Sequence, residues 1–399
     1  MKILNLILGD ENDPVDVNSS ITLFSAVYMG IVGPEVFILQ PGFVQGLVQY
    51  LGYSEKGAGY IASAEMWGLA ITTVILTFMA GRFNWRHIFL VSLIVIIFGN
   101  LASLFVTTSV SFGTLRFITG LGCGGLVSLS FTVIGITDNP DRNFGYYIMW
   151  VLIYGALGLL AMPSAYSMVG MHGVLVFFAV LPAAGLFLVR FLPMSGEEHV
   201  QVEEDAVNIP SHFKGMALAA MFSYFLAQGV VWAYLFLIGI SGGASEQAVA
   251  NGLTVSQFLG IAGAFTTVVV GIRFGRALPL TIGIIAGIVP LLFLFGAMGA
   301  LVFGIAVSVY NYAWNMTHPY LLASMASFDR SGRVVVNAVA FQMLGLAIGP
   351  AIAATVISDG DYSNVNFLGM GLFTAALVLI LPPVIKHKSL ATVMASEAE

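Results

Sequence analysis

Gly81-Arg82-Phe83-Asn84-Trp85-Arg86-His87 is answered further along the chain by Gly271-Ile272-Arg273-Phe274-Gly275-Arg276. In both places a long apolar run ends, an Arg-Phe pair follows, another Arg comes within four residues, and a new apolar run begins. Arg82 and Arg273 lie 191 positions apart, and a second echo, Asp141-Arg142 with Asp329-Arg330, lies 188 apart. Two turns that recur at nearly one offset predict a duplicated unit.

The runs between those turns identify the solvent. Of the 399 residues, 58% are hydrophobic and 9% charged, and the mean hydropathy is +0.95. No water-soluble core needs that much apolar side chain. A bilayer-crossing helix takes ~20 apolar residues, and backbone polar groups inside lipid must be satisfied within the segment, which makes long apolar runs helical. The net charge of -6 comes largely from two short acidic stretches, and no basic, aromatic-interleaved patch suggests nucleic acid. Cys123 is alone, so no internal disulfide is expected.

Apolar runs occupy 19–41, 57–80, 87–107, 110–136, 144–169 and 173–192, then 213–240, 248–271, 277–297, 299–327, 334–358 and 364–385. The expected fold is an all-α polytopic membrane protein of twelve spans, arranged as two pseudo-symmetric six-helix bundles at 19–192 and 213–385. Segment 1–18 precedes them, a linker at 193–212 joins them, and a tail at 386–399 follows. The linker carries Glu197, Glu198, Glu203, Glu204 and Asp205, the composition of a solvated hinge. Met1 to Gly9 lacks a small-residue cleavage site and is followed by acids, which fits a short helix at the membrane surface better than a signal peptide. With the N-terminus in the cytoplasm, twelve of the fourteen Lys and Arg fall inside; Lys56 lies outside and Arg116 within a span. That bias predicts two cytoplasmic termini.

These features together resemble the major facilitator superfamily (MFS) of transporters, bacterial type, along nearly the whole chain. The family's signature loop after the second span reads Gly-x-x-x-Asp-Arg-x-Gly-Arg-Arg. Arg82 and Arg86 match its basic positions, and Arg273-Phe274-Gly275-Arg276 matches its Arg-x-Gly-Arg core. The acidic position is Gly81 in one copy and Ile272 in the other, so the Asp that helps latch the two halves in the family has no counterpart in either copy. Arg116-Phe117-Ile118-Thr119-Gly120-Leu121-Gly122-Cys123-Gly124 resembles the family's fourth-span pattern. The resemblance implies a monomeric secondary transporter in a bacterial inner membrane, moving a small organic solute by alternating access. It also implies a cavity lined by the first, fourth, seventh and tenth spans.

Independently of any family, repeated bundles in lipid place solute sites near the midplane, often at broken helices. Gly33-Pro34, Gly155 to Pro163, His318-Pro319 and Gly345 to Pro350 are the candidate breaks, against the alternative of close helix packing. Ionisable groups at lipid depth are rare and informative, because each costs ~2.5 to 3.5 kcal/mol at a helix centre unless paired or hydrated. Glu35 and Arg116 stand at matching depth and are expected to pair as a proton-coupling centre, with Glu65 as the alternative proton site. A static structural pair is the other explanation. Asn311, Asn315 and His318 share one helical face. With Trp314 and with Tyr224, Gln228 and Trp232 of the seventh span they form the candidate solute wall; interhelical hydrogen bonding is the alternative. Arg82, Arg86, Asp141, Arg142, Arg273, Arg276, Asp329 and Arg330 are candidate gate residues, or simply headgroup anchors.

There is no His-Glu-x-x-His, no Gly-x-Ser-x-Gly and no pair of Cys, so an enzyme is not expected, nor a metal or cofactor. The expected partners are membrane lipid, a small organic solute and protons. A facilitative uniporter and a non-transporting sensor stay open as alternatives, separable by flux into reconstituted vesicles.

Overall fold

The computed structural model describes Leu8 and residues 15–196, 206–330, 332–358 and 360–398, with the side chains of 80, 141 and 394–398 excepted. The expected surface helix in 1–9, except for Leu8, and the acidic centre of the linker lie outside the described residues. Two compact units divide the chain, Met1–His199 and Val200–Glu399.

Unit 1 contains α1 (Ser20–Val32), α2 (Glu35–Ile38), α3 (Gln40–Gln49), α4 (Glu55–Met79), α5 (Trp85–Ala102), α6 (Ser109–Gly135) and α7 (Pro140–Gly185). Unit 2 contains α8 (Ser211–Trp232), α9 (Leu235–Ser241), α10 (Glu246–Val270), α11 (Ala277–Ile288), α12 (Ala300–Ser327), α13 (Arg333–Val356) and α14 (Ser363–Ala398). Short side chains open several of them by accepting from the otherwise unpaired first-turn N–H groups. Ser19 Oγ accepts from Thr22 N at 3.3 Å, Asn84 Oδ1 from Arg86 N at 3.0 Å, Thr108 Oγ1 from Ser111 N at 3.2 Å and Ser245 Oγ from Ala248 N at 3.3 Å.

Eight helices among the described residues are long and apolar enough to cross a membrane, and Ser20–Val32 and Ala277–Phe293 are shorter apolar ones. One of the eight is α7, whose 46 residues would reach ~69 Å as one rod against a hydrocarbon core of ~30 Å. Gly170 bends it, with φ 64° and ψ -175°, a left-handed backbone that suits a residue without Cβ. The bend falls where a turn between two spans is expected.

The breaks differ from expectation elsewhere. Gly33 and Pro34 do interrupt the first run, because Pro34 has no N–H to continue the ladder. Pro41 does not end that run. It sits in the first turn of α3, where its missing N–H has no intrahelical partner to lose, and helix continues to Gln49. Gly155 to Pro163, His318-Pro319 and Gly345 to Pro350 all lie inside continuous helix. Gly345 and Gly349 instead admit α8: a Cβ at either would stand 2.7 Å from Leu226 N or 2.5 Å from Gly229 C. An unforeseen break falls at Ala233 and Tyr234, splitting the seventh run into α8 and α9. Helix also continues through Lys386 and Lys388 in α14, within the stretch read as a tail.

Packing repeats from unit to unit. In unit 1, α4 and α5 pack on α6, and α1 and α5 pack on α7; in unit 2, α10 and α11 pack on α12, α8 packs on α13 and α14, and α11 packs on α14. Numbered by run, the second and third pack on the fourth, the first packs on the fifth and sixth, and the third on the sixth. Both described ends of the linker are docked. Trp85 N donates to Met194 O at 2.8 Å, while Val207 N donates to Ser327 O at 2.9 Å, with Ala206, Val207 and Ile209 buried.

Candidate functional site

Three glycines bring Glu65 and Arg116 together. A Cβ at Gly120 would lie 2.0 Å from Glu65 O, one at Gly124 2.4 Å from Leu69 O, and one at Gly68 2.2 Å from Phe117 O. Only bare backbone lets α4 and α6 approach so closely. Arg116, fully buried, then places Nη1 3.7 Å from Glu65 Oε1 and donates from Nη1 to Asn100 Oδ1 at 2.9 Å. Its Nη2 donates to Ser103 Oγ at 3.2 Å and Thr119 Oγ1 at 3.0 Å, and its guanidinium lies 5.8 Å from the Phe112 ring centre.

The ionic partner of Arg116 is therefore Glu65, where sequence depth had pointed to Glu35. The physical reason is the glycine contact, which seats α4 on α6, whereas Glu35 rides on α2 beyond the Gly33-Pro34 interruption. Glu35 is 1% exposed and neither carboxylate oxygen has a hydrogen-bond partner among the described residues. It still feels both Glu65 and Arg116 electrostatically. All three side chains are buried, and the ion pair among them is Arg116 with Glu65. Asn100, Ser103 and Thr119 were missed in the sequence; only Asn100, an amide inside an apolar run, carried a signal.

In unit 2 the expected wall divides in two. Asn311 and Asn315 turn toward α10: Asn315 Nδ2 donates to Asn311 Oδ1 at 2.9 Å, Asn311 Nδ2 to Ser256 Oγ at 3.4 Å, and a Cβ at Gly260 would stand 2.8 Å from Asn315 Nδ2. Toward α8, contacts come from three α12 residues four apart, Tyr310, Trp314 and His318. Tyr310 donates to Gln228 Oε1, and Trp232 meets Trp314 edge to face at 5.8 Å. His318 meets Phe225 at 4.8 Å, and its Nε2 lies 3.1 Å from Gln342 Oε1 of α13. Tyr224 and Tyr310 both stand edge-on to Phe373 of α14, at 5.4 and 6.3 Å. Tyr310, Gln342 and Ser256 are additions to the sequence-derived set.

The turn residues sort by burial. Arg82 and Arg273 are exposed, while Arg86 and Arg276 are buried. Arg86 donates from Nε to Leu192 O and from Nη1 to Leu8 O, each at 2.7 Å. Arg142 is exposed, 6.0 Å from the Tyr146 ring centre; the Asp141 side chain lies outside the described set. Asp329 Oδ1 accepts from Val334 N at 3.4 Å at the start of α13, and Arg330 Nε donates to Ala206 O at 3.2 Å. Among the described residues no cluster of three or more His, Cys, Asp or Glu could hold a metal ion.

Known structures share this fold. A D-xylose-proton symporter aligns with TM-score 0.74 over 92% of this chain and 98% of its own, at 14% identity. The nucleoside transporter NupG gives 0.69 over 93% and 100%, also at 14% identity. The inward-open xylose transporter XylE from E. coli gives 0.70 over 90% and 94%, again at 14% identity. In sequence, 139 residues are 27% identical to the "Putative niacin/nicotinamide transporter NiaP" of Bacillus subtilis (strain 168), a match covering 35% of this chain and 32% of that relative. The match therefore spans about a third of that relative's length. The family model of the Major Facilitator Superfamily matches residues 26–323, well over half of the sequence, and the chain belongs to that superfamily of multi-pass membrane transporters.

Proposed function

We propose that the protein is a proton-coupled carrier for a small organic solute, working by alternating access as a monomer in a bacterial inner membrane, with twelve crossings and both termini cytoplasmic. The observation that carries the coupling is the buried trio. Arg116 is ion-paired with Glu65 at 3.7 Å and donates to three neutral acceptors, while neither carboxylate has a hydrogen-bond partner among the described residues and Glu35 is without an ion pair there as well. A carboxyl without a fixed partner can exchange a proton without first breaking a bonded network, and Arg116 supplies the opposite charge that makes the exchange matter to a bound anionic group. The net charge of the trio changes by one with each proton, so proton and solute binding are linked.

For the solute, the α8 and α12 contacts support an apolar or aromatic body with a polar or anionic end, since they combine indole, phenol, imidazole and amide groups. The relatives named above are described as handling niacin or nicotinamide, D-xylose and nucleosides, which makes those three classes the first to try. Proteoliposomes with an acid-outside gradient should accumulate one of them, and dissipating the gradient should abolish accumulation while leaving exchange. Equal uptake with and without the gradient would mean facilitative transport; saturable binding without flux would mean a sensor.

A further inference from the structure

Pro182 stands inside the second segment of α7. Having no N–H, it leaves the carbonyl of Phe178, one turn earlier, without its helix donor. Asn100 of α5 supplies the missing bond: the amide is fully buried, and its Nδ2 donates to Phe178 O at 2.8 Å. A carbonyl only accepts and a guanidinium only donates, so this bond fixes which end of the amide faces which partner. Oδ1 faces Arg116 and accepts from Nη1 at 2.9 Å. The other two acceptors are polarised in the same way. Ser103 Oγ donates to Gly99 O at 2.7 Å and Thr119 Oγ1 to Leu115 O at 2.8 Å, so each turns only lone pairs toward Nη2. Gly99 lets α5 and α6 meet here, since a Cβ there would stand 2.0 Å from Thr119 Oγ1.

We infer that Asn100 is a positioning residue for the coupling centre: anchored on the carbonyl that Pro182 leaves open, it holds the Arg116 guanidinium in place whether the carboxyls are charged or neutral. A buried cation whose one partner is a carboxylate is stranded when that carboxylate takes a proton. Neutral acceptors do not titrate, so Arg116 keeps its geometry and its charge-assisted hydrogen bonds through the exchange. Ser103 and Thr119 spend their own donors within their own helices. Of the three acceptors, Asn100 alone ties the guanidinium through to α7. Its effect on transport rests on the coupling reading; its hold on Arg116 does not.

Asn100→Leu is close in volume and has neither donor nor acceptor. Pro182→Ala restores an N–H to Phe178 O, which makes good the loss of the amide's donor but not of its acceptor. The two roles thereby separate. In phosphatidylcholine nanodiscs, full-length Asn100→Leu should unfold at a lower temperature than wild type, and adding Pro182→Ala should recover part of that fall. Gradient-driven accumulation in proteoliposomes should stay about tenfold low in both, the worth of one hydrogen bond to a charged group. A merely structural asparagine would let accumulation rise with stability. Nitrogen NMR of protein carrying isotope-labelled arginine reads Arg116 directly, its signals being those absent from Arg116→Lys. Held between fixed acceptors, the two Nη nitrogens should give separate resonances, and these should converge in both Asn100→Leu proteins. If Asn100→Leu does not fold in either background, Asn100→Ser, too short to reach Arg116, takes its place in every measurement. The inference is overturned by unchanged Arg116 signals, by Pro182→Ala recovering none of the lost stability, or by accumulation returning with stability in the double variant. Absence of gradient-driven accumulation in wild type would sink the coupling reading, while converging signals would still support the hold on Arg116.

Discussion

Arg116 and Glu65 face each other at 3.7 Å, while Glu35 faces no hydrogen-bonding group among the described residues. Removing one charge of a buried pair strands the other, whereas removing an unbonded carboxyl strands nothing. Glu35→Gln should therefore leave the yield of folded protein and solute exchange intact and abolish gradient-driven accumulation. Glu65→Gln should lower folded yield. If both variants accumulate solute at the wild-type level, neither carboxyl carries the proton. Arg116→Ala should cost about 3 to 5 kcal/mol of stability, read as a large fall in unfolding temperature. Arg116→Lys should rescue little, because one ammonium cannot reach Asn100, Ser103, Thr119 and Glu65 together as the guanidinium fork does. The ionisable members were legible in the sequence because charge is conspicuous in an apolar run. Their pairing was not, since depth along two helices says nothing about which helices touch.

At the scale of elements, the glycines of α6 set that pairing. Gly120→Ala and Gly124→Ala would each drive a methyl into the backbone of α4, at 2.0 and 2.4 Å from a carbonyl oxygen. Overpacking of this kind costs ~1 to 3 kcal/mol. Both variants should unfold at lower temperature than Gly135→Ala, whose Cβ would meet nothing within 4 Å; equal behaviour of the three would mean α4 and α6 are not in tight contact. Helix breaks were legible only where chemistry forces them, as at Gly33-Pro34. Proline inside α7, α12 and α13 is tolerated, and the break at Ala233 and Tyr234 has neither Gly nor Pro to announce it. Periodicity put Asn311, Asn315 and His318 on one face, yet α10 takes the two amides while α13 and α8 take the imidazole. A face of an inner helix meets several neighbours. In a Cys123→Ala background, Cys at Trp314, Asn315 and His318, which are partly accessible, should react with small polar thiol reagents faster than Cys at the buried Asn311, Ala313 and Met316. Uniform protection would assign the stripe to packing alone.

The duplication was the most legible property of the molecule, because charge is scarce and two basic turns stand out in apolar sequence. Both units use the same pairing of helices, and each basic turn divides alike, its first Arg exposed and its last buried. The sequence could not separate those roles, since all four arginines occupy turns of equal polarity. Arg86 is tied to Leu192 O and Leu8 O, and so joins the start of α5 to the end of unit 1 and to the N-terminal segment. Losing it leaves the buried Leu192 carbonyl without this donor, at ~1 to 3 kcal/mol, and removes the part-buried contact to Leu8. Arg82 and Arg273 project into solvent, where an ion pair is worth ~0 to 1 kcal/mol, small enough to form and break during a transport cycle. Arg86→Ala should therefore reduce folded protein, and the double variant Arg82→Ala, Arg273→Ala should keep wild-type yield and unfolding temperature while slowing solute flux. Orientation should survive in the double variant, because ten other basic residues remain on the proposed inside face. Flux at the wild-type rate in that variant would make the exposed arginines headgroup anchors and place the gate elsewhere.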